Sequence, residues 1–177
     1  MAKKVDREHP LYVAFREAIG KSLWDHVSTT DQDEAADYLA DLLVACAHTD
    51  MLFRIRNATG QPIVSVAEMI AEGDIRVNAD SFERERLVHQ HIGDFILFWS
   101  GLSPQYLRSL KIRSTLDLIC DYPQQAKQSY DLVSTYEESV DPAAASTFRK
   151  LSVGFDDYAF CLNVVRDRMG LMRVFEA

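Results

Sequence analysis

The stretch Asp80 to Gly101, DSFERERLVHQHIGDFILFWSG, constrains the fold more than any other part of the chain. At 3.6 residues per turn it makes a helix of about six turns. Asp80 is the expected N-cap, with Glu83 three residues on completing a capping box in its Asp form. Gly101 falls where a helix of that length stops, and Ser103-Pro104 opens a new element. Val88, Ile92, Phe95, Ile96 and Trp99 share one face of the helical wheel, and the ionisable Glu85 and His89 fall on that same face. From Phe95 to Trp99 the helix is apolar around almost its whole circumference, so it needs cover on more than one side.

Either other helices of the chain provide that cover, or Leu97 and Phe98 meet a partner. Long amphipathic patterns run over about 10–27, 32–54, 124–140 and 142–169, with shorter helical pieces after Ser65 and Ser103. Pro10 suits a first helical turn, and Leu11, Ala14, Phe15, Ala18 and Ser22 mark the inner stripe of the first helix. The second pattern is the most apolar, with Leu39, Leu42, Leu43, Cys46 and Phe53 on its main face and Asp50 inside that stripe. Asp37, Asp41 and His48 form its opposite, solvated face. Ser65-Val66-Ala67-Glu68 has the form of a capping box. Two tyrosines, Tyr130 and Tyr136, face inward from the third pattern, and each needs a hydroxyl partner if buried. Asp141-Pro142 is an N-cap and first-turn pair, Gly154 marks a kink or close crossing, and Gly170 is the final stop.

No stretch alternates with period two over a useful length, and no repeat recurs at a fixed period. The sequence therefore predicts one all-α domain over residues 1–177. Its architecture is an irregular antiparallel helical bundle of about five long helices plus two or three short ones.

Charge narrows the partners. A net charge of −8 argues against a general nucleic-acid binder, which needs a basic face, and against an anionic membrane surface. The one basic patch, Arg108 with Leu110-Lys111-Ile112-Arg113, reads as a solvated helix face rather than an anion site. MAKKVDREHP has no apolar core after its lysines, so no signal peptide is expected, and no stretch approaches the 18 or so apolar residues of a membrane span. Cys46, Cys120 and Cys161 are widely spaced without a CxxC and read as small buried hydrophobes in a reducing, cytoplasmic setting.

Catalytic motifs are absent: no GxSxG elbow, P-loop, GxGxxG, HExxH or CxxCH occurs. Two functional expectations follow. The leading one is a non-catalytic cytoplasmic protein acting through protein contacts as a homodimer. Leu97 and Phe98 on the all-round apolar segment, and Leu171, Met172 and Phe175 in the apolar tail, are its contact residues. No cofactor is expected. The alternative is a metal- or small-ligand-binding helical protein using Asp50, Glu85 and His89. Glu85 and His89 are four residues apart and meet on one helix surface, but bundle metal sites use Glu-x-x-His on two helices and no second pair is present. The structural alternative is a buried network in which Arg54, Arg86, Arg166 or a tyrosine hydroxyl meets these carboxylates.

Overall fold

Ser81, rather than Asp80, caps the central helix: its Oγ accepts from the Arg84 backbone N–H at 3.2 Å. In the computed structural model, which describes residues 6–27, 33–47 and 49–171, this helix is α5, Phe82–Leu102. Four helices precede it: α1 (Pro10–His26), α2 (Asp33–Cys46), the single turn α3 (Thr49–Leu52) and α4 (Val66–Gly73). Five follow it: α6 (Pro104–Arg113), α7 (Thr115–Leu118), α8 (Tyr122–Glu137), α9 (Pro142–Val153) and α10 (Phe155–Met169). The fold is all-α, and no strand forms among the described residues beyond one isolated bridge between Arg56 and Pro62. No helix among them is long and apolar enough to cross a membrane.

α5 is the axis of the molecule and packs on α8, α10, α4 and α6. That cover disposes of the all-round apolar segment: Ile96, Leu97 and Phe98 are buried inside the chain, as are Phe95 and Trp99. Leu97 and Phe98 therefore present no surface to a second molecule, which corrects their expected role as contact residues. Leu171 is half-buried against the core, and Met172 and Phe175 lie outside the described residues.

Several expected boundaries shift for local reasons. The second pattern divides, with α2 ending at Cys46 and α3 starting at Thr49, so the register of α2 does not carry through to Asp50, which is exposed. The first helix buries Phe15 and Ser22 as expected, adds Tyr12, Ile19 and Leu23, keeps Leu11 and Ala18 half-buried against the core and leaves Ala14 exposed. The last pattern breaks at Gly154, which caps α9 by donating its N–H to the Lys150 carbonyl and leads directly into α10. Gly170 ends α10 at φ 64°, the left-handed conformation that glycine adopts without penalty.

Gly101 stands one residue before the end of α5 at Leu102 and is not its cap, which is Ser103. It lies buried within α5, and a Cβ built there falls inside contact distance of the Leu162 Cβ and 3.3 Å from the Ala159 carbonyl oxygen. The residue is glycine because α10 crosses here. Its neighbour is a side-chain root atom that cannot swing aside, so overpacking should outweigh any gain in helix propensity. Gly101→Val is expected to lower unfolding stability by about 2–3 kcal/mol in a urea titration; an unchanged midpoint would remove this account of the crossing.

Candidate functional site

A single carboxylate in the apolar half of α5 gathers groups from four parts of the chain. Asp94 is buried, and its Oδ1 accepts from the Tyr38 hydroxyl of α2 at 2.7 Å and the Tyr130 hydroxyl of α8 at 3.0 Å. Arg54, on the strap after α3, places Nη2 3.5 Å from Asp94 Oδ2 and donates from Nε to His91 Nδ1 at 3.1 Å. Gln90 donates to the Tyr38 hydroxyl at 3.2 Å. Tyr130 reaches Asp94 because residue 93 is glycine, where a Cβ would stand 2.6 Å from the tyrosine ring.

The protonation states follow from this wiring. An arginine N–H can only donate, so His91 Nδ1 must accept, and the proton of the neutral imidazole sits on Nε2. Burial, with Arg54 beside it as the second cause, drives the His91 pKa down from 6.5 to about 3. Nε2 has no hydrogen-bond partner among the described residues. Burial raises the Asp94 pKa above its usual value, while Arg54 and the two tyrosine hydroxyls pull the other way. Burial first, and Asp94 second, push both tyrosine hydroxyls well above the ordinary range, so they remain donors.

This network forms the polar end of a cleft of about 750 Å³ between α2 and α5, bounded also by the start of α1 and by α3. Leu42, Cys46, Met51, Leu52 and Phe95 supply apolar wall; Tyr38, Arg54, Gln90, His91 and Asp94 supply the polar end. Asp6, His9 and Asp41 also line it. The volume lies within the range of small-molecule sites, and apolar walls with a few convergent polar groups are their usual chemistry. Burial pushes the Cys46 thiol far above its usual range, so Cys46 acts here as an apolar wall rather than a nucleophile.

The three residues singled out as metal ligands are spent differently. Asp50 is exposed on α3. Glu85 accepts a hydrogen bond from Tyr136, the tyrosine-hydroxyl partner that the structural alternative allowed. His89 Nδ1 lies 3.0 Å from the Ser129 hydroxyl, and burial lowers its pKa against the opposing pull of Glu85 and Asp74. Arg86 does not meet Glu85; it pairs with Glu83 and Glu137. No group of three or more His, Cys, Asp or Glu side chains among the described residues is placed to hold a metal ion.

Asp94 was legible in principle. It sits between the buried Gly93 and Phe95, one residue before the segment that is apolar all round, and a carboxylate there has no solvated side to turn to. The chain matches no family model, no curated protein and no solved structure.

Proposed function

We propose that the chain is a binding protein for a small amphipathic molecule seated in the cleft between α2 and α5. The observation that supports this is the pairing of a ligand-sized apolar cleft with a polar end in which a half-buried arginine is held by Asp94 and His91. Arg54 uses Nε and Nη2 on the protein, and the buried His91 Nε2–H has no acceptor among the described residues. An acceptor on the ligand would face the half-buried Arg54, and its apolar body would lie along Leu42 and Met51. Asp94 and the two tyrosines act as the frame that fixes Arg54, since arginine binds well only where its fork is held.

The uncharged dye N-phenyl-1-naphthylamine tests the cleft without favouring either sign of charge. Saturable fluorescence enhancement is expected for the native chain. Ala45, half-buried on the cleft wall, gives a filling variant. Ala45→Phe should weaken dye uptake at least about tenfold, roughly 1.4 kcal/mol, with an unchanged thermal transition. Equal uptake by both proteins, or none by the native chain, defeats this reading.

A further inference from the structure

We infer that the tip formed by α6 and α7 is a docking surface for an anionic lipid bilayer. Between Asp94 and Asp117 the chain has no acidic residue but carries Arg108, Lys111 and Arg113. None of these three has a carboxylate partner among the described residues: Arg113 donates to Ser109, Lys111 lies over the Tyr122 ring, and Arg108 is exposed. Among them stand large aliphatic side chains facing water, with Ile112 86% exposed, Ile119 87% and Leu116 57%. The next exposed carboxylate along the chain, Asp121, is engaged in capping α8 through the Gln124 N–H.

The tip is held firmly in place. Asp117, on α7 and fully buried, accepts from Ser65 Oγ at 3.1 Å, Ala67 N at 2.9 Å and Val66 N at 3.3 Å, fastening α7 to the start of α4. α7, pinned in this way, displays Leu116, and α6, which packs on it, displays Ile112 on the same helix as Arg108 and Arg113. Near-complete exposure of Ile112 and Ile119 means that no wall rises around them, so the tip offers no groove for a partner helix. A bilayer needs none: separate side chains sink among the acyl chains while cations remain at the headgroups. The net charge of −8, which taken over the whole chain argues against an anionic surface, acts only weakly at this tip, since charges farther from the surface than about 8 Å are largely screened at physiological salt.

Co-sedimentation with phosphatidylcholine vesicles, with and without phosphatidylserine, tests the assignment. The chain should pellet with the phosphatidylserine vesicles at low salt, and be released at high salt and from phosphatidylcholine alone. Arg108 and Arg113 are exposed, so Arg108→Glu/Arg113→Glu should fold normally by circular dichroism and partition at least about tenfold less. Ile112→Ser/Ile119→Ser should weaken partition while keeping the salt dependence. No pelleting with phosphatidylserine vesicles overturns the proposal, as does pelleting that the Arg108→Glu/Arg113→Glu variant retains. Capture of an acidic amphipathic peptide in place of vesicles overturns it too, and assigns the tip to protein docking.

Discussion

Asp94→Ala is expected to cost about 3–5 kcal/mol of unfolding free energy, the usual penalty for removing one partner of a buried charged network. The size follows from what the change strands. Tyr38 and Tyr130 each lose the acceptor of a buried hydroxyl, and Arg54 loses its counter-charge while still fixed to His91. Tyr38→Phe removes one donor and leaves the other, so it should cost only about 1 kcal/mol. A change that makes the whole cluster apolar behaves differently, because paired replacement of buried ions by hydrophobic side chains is often neutral. Asp94→Leu combined with Arg54→Met should thus recover much of what Asp94→Ala loses. Urea titrations of the four proteins measure all of this. An Asp94→Ala cost below about 1 kcal/mol would falsify the claim that this carboxylate ties α2, α5, α8 and the strap after α3 together.

The same network explains why the sequence revealed some of the chain and not the rest. Where a cap and its partner lie within three residues, most of the pattern is on the page, although at α5 Ser81 and not Asp80 is the cap. Ser65 accepts from Glu68, Asp141 accepts from Ala143 and Ala144, and Gly170 takes the left-handed conformation, all as the local chemistry predicts. The inward tyrosines were legible as a need, and both found carboxylates, Tyr130 on Asp94 and Tyr136 on Glu85. Nothing local identified which carboxylates these would be. Asp117 caps α4 from about 50 residues away, and no window along the chain contains both halves of that interaction.

Gly101 shows the other limit. A glycine after an apolar run signals a helix end and a close helix crossing equally well, and only Leu162 of α10 decides between them. The helical wheel failed at Asp50 for a related reason, because its periodicity assumes an unbroken helix and α2 ends before that residue. Glu85 and His89 drew attention by sharing a face with apolar residues, yet each is spent on one neutral partner. The residue that organises the cleft was hidden by its apolar neighbours, in the half of α5 that looked like plain core.

His91 gives the chain a pH dependence whose sign is fixed by the direction of its titration. Its folded pKa, about 3, lies below the ordinary 6.5, so above 6.5 the imidazole is neutral in both states and its stabilising contribution is complete. As pH falls below 6.5 the unfolded chain takes up a proton that the folded chain refuses, and stability is lost until about pH 3. Each pH unit within that window is worth about 1.4 kcal/mol, giving roughly 3 kcal/mol lost by pH 4. His89, also depressed, acts in the same direction, whereas Asp94, whose pKa is raised from 3.8, stabilises most at low pH and less as pH rises. The comparison with His91→Gln isolates the histidine. Glutamine retains an acceptor for the Arg54 Nε–H and binds no proton, so the variant should lack this loss. Its stability relative to the native chain should rise by roughly 3 kcal/mol between about pH 7 and pH 4. Parallel curves across that range would mean that His91 takes up its proton in the folded chain. The Arg54 Nε–H would then have lost its acceptor on Nδ1, and the polar end of the cleft would be open rather than closed around a neutral imidazole.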